Sequence, residues 1–418
     1  MKKINVLITC ILLVFFVNCS KSDPDPMESG NPNSNPKISI TINGVSDYEN
    51  LGNSADIFVN YSTTGNSSTI KELRLYISTA SDLTENDLLQ IPVSNYHIMP
   101  VGTSLKTVLD PTLNDTDGNP ITEEKEYTIS ILGLLNDEAS APLLSNALSL
   151  TLKNEIVVTT PLLKGAFKAG EDIAITSNGT LYINEGFQGN KLYKITPNGE
   201  SSIFSSAMNG PVGIALDKDE NIYTSNFNST VIKKITPQGV VSDFVSDSKL
   251  VGGGGLVFDN DGNLFNAFYA SSTIYKINQG TVENSATSNL FSGPVGVAYD
   301  KERGKLFVAS FDSGKIFFVA DDETVMEVAD TDLNIGHLSY ANDHFYATGW
   351  NQHKVYKISL DGEIIAKIGS GNQQEKDGAS QEAAFNQPNG IEATADGRYV
   401  YVSQGGGNLR KIVMPREN

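Results

Sequence analysis

The chain writes one phrase twice: "GPVGIALDKDENIYTSNF" at 210–227 returns as "GPVGVAYDKERGKLFVASF" at 293–311. Laid against itself, it shows six such units, whose first apolar runs begin at Ile173, Ile214, Leu256, Val297, Leu338 and Ile391. Successive starts are 41, 42, 41, 41 and 53 residues apart. Each unit places two short apolar runs around a turn of Asn, Asp and Gly, which reads as a hairpin. A third run follows in every unit ("KLYKITPNG", "VIKKITPQG", "KVYKISLDG"), and a fourth in most, as in "VSDFVS". Four short strands per ~40 residues, repeated around a ring, are the pattern of a β-propeller blade. The sixth unit stops after its third strand. The segment around 157–164 is expected to supply the fourth, closing the ring and removing its exposed edges.

The last unit carries a resemblance. "GSGNQQEKDGASQEAAFNQPNGI" at 369–391 with "GNLRKI" at 407–412 is similar to the NHL repeat, in its Gly-x-Gly, Asp-Gly, Ala-x-Phe-x-x-Pro-x-Gly-Ile and Asn-x-Arg elements. The likeness spans about 160–418 and extends to the wider six-bladed group that holds virginiamycin B lyase and the gluconolactonases. WD40 repeats share the period, but their Gly-His and Trp-Asp marks are absent.

Residues 37–155 do not share the period. Alternation in "KISITING", "ADIFVNYS", "LRLYIST" and "EYTISILGLL", with turn residues between, suggests a small β-sandwich. "EEKEYTISILGLLNDEAS" resembles the late strands of a fibronectin type III domain, which implies Tyr127 as its corner tyrosine. The expected fold class is therefore all-β, a six-bladed propeller (156–418) preceded by a sandwich (37–155).

Ahead of both, "MKKINVLITCILLVFFVN" (1–18) has the charged start and short apolar stretch of a signal peptide. The following "CSKSDPDPMESGNPNSNP" (19–36) resembles a bacterial lipoprotein start, with Cys19 as the lipidated first mature residue and a flexible tether behind it. Cys10 is the competing site, and a plain secretory signal the competing reading. The acidic "KSDPD" looks like an export tag of Bacteroidetes-type surface lipoproteins, which implies an outer-membrane location at the cell surface, with the membrane reached through the lipid. Cys10 and Cys19 are the only cysteines, so no disulfide framework or thiolate zinc site is expected in the mature chain. The formal charge of −19 argues against nucleic acid as a partner.

Reactive motifs are scarce. "VGGGGLVF" at 251–258 lacks the Lys-Ser/Thr of a P-loop, and no Gly-x-Ser-x-Gly or His-Glu-x-x-His occurs. "DNDGN" at 259–263 looks like the start of a calcium loop without its closing Glu, so a hairpin turn is the better reading. Two sets of loops gather at one end of a propeller. Those entering the innermost strands offer Glu171, Asp172, His337 and Asn389, a thin set for calcium or magnesium in the channel, of the kind that lactonase and lyase relatives imply. His344 and His353 fall in the same repeat as His337 without completing a catalytic set.

The loops after the second strands are richer. At one repeated station stand Gly186, Phe227, Tyr269, Phe311, Trp350 and Gly405, four aromatics in consecutive units, with Phe187 beside the first. Asn226, Glu185 and Gln404 lie next to them. Rings flanked by amides and carboxylates suit sugars, stacking on C–H faces while polar groups take the hydroxyls. Packing between blades is the competing role for these rings. Three functions stay open: a surface-anchored protein binding an extracellular glycan or other ligand, a metal-dependent lactonase or lyase, and a scaffold for a protein partner. With no nucleophile–base pair assembled, binding is preferred to catalysis.

Overall fold

The computed structural model describes residues 37–47, 51, 57–109, 113–168, 170–331 and 334–416. The signal and tether, with Cys10 and Cys19, lie outside the described residues. Among those described, no helix is long and apolar enough to cross a membrane.

The N-terminal part is two packed antiparallel sheets. One joins Ser39–Ser46, Ile57–Thr64 and Ser104–Leu109; the other is built on Ile70–Ser78 and Glu126–Leu135, with His97–Met99, Leu143–Leu144 and Leu148–Thr151 paired outside them. Alternate residues such as Ile57, Val59, Leu73, Leu75, Ile129 and Ile131 point between the sheets and form one core. The Tyr127 hydroxyl accepts the Thr122 amide at 2.9 Å, which ties its strand to the preceding turn.

The rest is the six-bladed propeller. Five four-stranded sheets follow in chain order, each a meander that starts at the axis: Ile173–Ile175, Pro211–Leu216, Gly253–Phe258, Pro294–Asp300 and Ile335–Ala341 are the innermost strands. The sixth sheet runs outward from Pro388–Ala393 through Tyr399–Gln404 and Leu409–Val413 to Val157–Thr159. The stretch ahead of the first blade thus completes the last one, pairing Val158 with Ile412. The wider spacing before the sixth blade is a segment that packs Ala383 and Phe385 into the core and pairs Gly378–Ala379 with that closing strand.

The Asp-rich hairpins are self-contained turns. Asp259 Oδ1 accepts the amides of Asp261 and Asn263, while Oδ2 takes the Asn263 side chain at 2.6 Å. Asp217 repeats this with Asp219 and Asn221. The carboxylates are used by their own loops, which favours the turn reading of "DNDGN".

Five innermost strands carry a β-bulge at their start, as between Pro211 and Ile214 and between Pro388 and Ile391. There the blades converge until only backbone fits. A Cβ on Gly213 would lie 2.2 Å from the Gly254 carbonyl, and one on Gly390 2.0 Å from the Glu171 carbonyl. Side chains of the second strands tie these same carbonyls: Asn184 donates to Val212 and Gly213, Ser225 to Gly254, Thr348 to Asn389 and Ser403 to Glu171. Four of the six blade junctions, 1–2, 2–3, 5–6 and 6–1, are therefore laced by a side-chain hydrogen bond beside the axis.

Sandwich and propeller touch through Asp47, whose carbonyl accepts from both Arg398 and Arg416 at 2.9 Å, and through Leu51, which is buried with Tyr399 and Tyr401. Arg416 also donates its amide to Glu123.

Replacing Gly390 by Ala forces backbone apart, and a loss of about 1–3 kcal/mol or more is expected. Gly44→Ala, with nothing within 4 Å of the new methyl, should stay within about 0.5 kcal/mol of the parent. Chemical denaturation of both variants checks this; equal stability would refute the crowded axis.

Candidate functional site

In an antiparallel meander, the loops entering the innermost strands and those after the second strands share one end of the propeller. The strand-one hairpins lie at the other.

At the first end the aromatic station is held by a repeated brace. The amides of Phe227, Phe311 and Trp350 donate to the carbonyls of Gly210, Gly293 and Asn334 in the entering loop of their own blade. The Phe227 and Phe311 carbonyls accept from Gly252 and Asn334 of the next blade. With both backbone groups fixed, the side chains have one way to go, which is outward. Phe187, Phe227 and Tyr269 are 49%, 37% and 42% exposed, while Phe311 and Trp350 are half-buried. Ring centres lie 6.1 Å apart for Phe187 and Phe227, 6.3 Å for Tyr269 and Phe311, and 6.4 Å for Phe311 and Trp350. These are edge-on or tilted neighbours along the rim of five consecutive blades.

The polar residues beside them turn inward. Asn226 is buried, accepts the Asn209 amide and donates to the Thr224 and Val231 carbonyls. Glu185 takes the Asn190 and Lys191 amides and the Lys191 ammonium at 3.1 Å. Gln404 is buried and accepts the Asn386 amide. All three stand one residue before the repeated station (Gly186, Phe227 and Gly405), where side chains brace the loops. This corrects their assignment as ligand groups. The exposed polar atoms are instead those of Asp312, which accepts the Tyr269 hydroxyl at 3.1 Å, and of Asn228 and Asn351. Two exposed aliphatic residues of the entering loops, Val251 and Leu290, add to this end. Their only signal in the sequence was an apolar residue just before a Gly-rich turn.

The four channel candidates do come together, deeper along the axis. His337 is fully buried, with Nδ1 3.3 Å from Asp172 Oδ2 and Nε2 3.4 Å from Glu171 Oε2. Asn389 donates to that same Glu171 oxygen at 2.9 Å. Asp172 also accepts the Ile173 and Ile214 amides. Burial alone would push the imidazole down, but the Asp172 and Glu171 carboxylates overcome it and hold His337 up at about 10. Burial raises Glu171, against the pull of His337 and Asn389.

Both ring nitrogens of His337 face carboxylate oxygens, and those oxygens already take the Ile214 amide and the Asn389 side chain. The set does not fit calcium or magnesium, and among the described residues no group of three or more His, Cys, Asp or Glu side chains could hold a metal ion. The cluster is instead a charge-compensated plug between blades 1, 5 and 6. His353, by contrast, accepts the Gln387 amide and braces a loop.

No protein-family profile matches the chain, and no curated protein does. Solved structures do. A protein of unknown function from Bacteroides thetaiotaomicron aligns over 92% of this chain and 99% of its own, with a TM-score of 0.57 and 13% identity. An auxiliary nutrient binding protein from Bacteroides ovatus aligns over 92% and 99%, at 0.55 and 14%. Another from Bacteroides thetaiotaomicron covers 90% and 97%, at 0.54 and 14%. The likeness is one of fold. It takes in nearly the whole of each relative, so sandwich and propeller recur together.

Replacing His337 by Gln leaves two buried carboxylates without their cation, and a loss of about 3–5 kcal/mol near neutral pH is expected. Because the folded pKa lies above the unfolded value, this contribution is complete below about pH 6.5 and fades as pH rises through about 10. The parent and variant stability curves should therefore converge on the alkaline side. Denaturation from pH 6 to 10 checks it, and a constant gap across that range would contradict it.

Proposed function

We propose that this chain is a surface-anchored ligand-binding lipoprotein that holds an extracellular glycan on the aromatic end of its propeller. The observation that carries this reading is the row of rings: five aromatics on consecutive blades, of which Phe187, Phe227 and Tyr269 are exposed and Phe311 and Trp350 half-buried, with the amides of Phe227, Phe311 and Trp350 held by their loops. Tilted rings beside Asp312, Asn228 and Asn351 suit the alternating C–H faces and hydroxyls of a sugar chain. The two auxiliary nutrient binding proteins of similar fold are in keeping with a binding role. In this reading 1–18 is a signal peptide, Cys19 carries the lipid, 19–36 is a tether and 37–155 a fibronectin III-like spacer that holds the NHL-type propeller of 156–418 away from the outer membrane. A protein partner is the second reading, favoured by Val251 and Leu290, which add aliphatic surface that a sugar does not need. A lactonase or lyase mechanism has less behind it, because the axial carboxylates are engaged with His337, Asn389 and backbone amides.

Trp350 is the sole tryptophan, so its emission reports on this end directly. Titration of the full chain with defined cello-, xylo- and manno-oligosaccharides should give a saturable shift with at least one of them. A Tyr269→Ala/Phe311→Ala variant should weaken it by about tenfold or more, since each ring truncated at a binding centre typically costs over 1 kcal/mol. Unchanged emission with every sugar, or unchanged affinity in the variant, would overturn the glycan reading.

A further inference from the structure

The opposite end of the propeller holds a cavity that the proposed function does not use. Its volume is about 690 Å³, within the ~300–1,000 Å³ range of small-molecule sites, and all six blades line it. It opens between the strand-one hairpins, where Ser177, Lys301, Glu302 and Asn342 are exposed, and runs inward as far as Asp172 of the axial plug.

One repeated station decides its chemistry. Around the ring stand Ala174, Ala215, Val257, Ala298, Ser339 and Glu392, all lining the cavity. Three alanines, a serine and one valine leave the space; the sixth residue puts a carboxyl into it. Toward the mouth, the next station presents Phe258, Tyr299 and Tyr340 from three consecutive blades, all half-buried. Of the other acids in the lining, Glu302 is exposed at the mouth and the remaining three face cations. Asp300 and Asp343 share Arg303 at 2.9 and 2.8 Å, and Asp172 faces His337.

Glu392 is different. Among the described residues no Lys, Arg or His stands within ion-pair distance of it, although part of its surface faces the cavity. Its neighbour is the Ser339 hydroxyl, whose oxygen already accepts the Ala393 amide. Burial pushes this carboxyl up to about 8, the Asp172 charge adding to the rise while Ser339 and Lys301 oppose it. A carboxylate in such a place is costly until a positive charge meets it.

We propose that this cavity is a second binding site, for a small organic ammonium ion, with Glu392 as its anionic anchor, Ser339 beside it and Tyr299 and Tyr340 as aromatic walls. The small residues admit the ligand's body, the rings face its charge or its apolar part, and the carboxylate supplies specificity for a cation over a neutral isostere. The site is separate from the aromatic end, since the plug of His337, Glu171 and Asp172 lies between them.

The test is calorimetric titration of the full chain with phenethylammonium chloride, alongside neutral 2-phenylethanol. Saturable 1:1 binding of the amine, with at least tenfold weaker or no binding of the alcohol, is expected. Glu392→Gln should lose at least tenfold in affinity. Ala298→Val, which narrows the cavity and keeps the charge, should also weaken binding, and serves if the glutamine variant does not fold. The Tyr269→Ala/Phe311→Ala variant should bind the amine as the parent does, so failure of the glycan reading leaves this result untouched. No amine binding to the folded parent, undiminished binding in Glu392→Gln, or loss of binding in the aromatic double variant would each overturn the proposal.

Discussion

Everything in the propeller depends on how closely six blades approach one axis. The bulged starts of the innermost strands leave no room for side chains there, so glycine backbone of one blade meets the carbonyls of the next. Those carbonyls would be orphaned in a buried place, and Asn184, Ser225, Thr348 and Ser403 donate to them. This lacing ties down the second strands that lead to Phe187, Phe227 and Trp350. The axial plug follows from the same convergence. Glu171, Asp172 and His337 come from blades 1 and 5, and meet only because the ring narrows where they stand.

The architecture was legible because it is written six times over. A period of about 41 residues with paired apolar runs has few solutions, and the short sixth unit even announced that its last strand came from elsewhere. The aromatic station was legible for the same reason: a position can be followed from repeat to repeat. What the repeat does not encode is which way a side chain turns at the end of a strand. Asn226, Glu185 and Gln404 stand one residue before the station that carries the rings in four of the repeats, and that single step reverses the face. Glu392 escaped notice although it occupies a repeated station too. It looked like an ordinary charged residue in a hairpin until the five shorter residues across the channel gave it a setting.

The two ends of the propeller are chemically unlike. One is a rim of exposed rings with a few amides and a carboxylate, broad and shallow, suited to something extended. The other is a narrow, acid-lined cavity floored by a neutralised plug, suited to something small. The plug stands between them, with Asp172 lining the cavity on one side of it. A fold whose blades differ only in their loops and small-residue stations can in this way carry two unrelated surfaces on one frame.

The closing strand has a mechanical side. Val157–Thr159 is the point at which the chain passes from sandwich to propeller, and it is flanked by Leu409–Val413 on one side and Gly378–Ala379 on the other. A pull arriving through the N-terminal part therefore runs along this strand, parallel to its neighbours, and loads its hydrogen bonds together in shear instead of peeling them one by one. Arg398 and Arg416, both gripping the Asp47 carbonyl, carry part of that load across before it reaches the strand. A tug on ligand held at the far rim would thus be resisted by the same seam that shuts the ring.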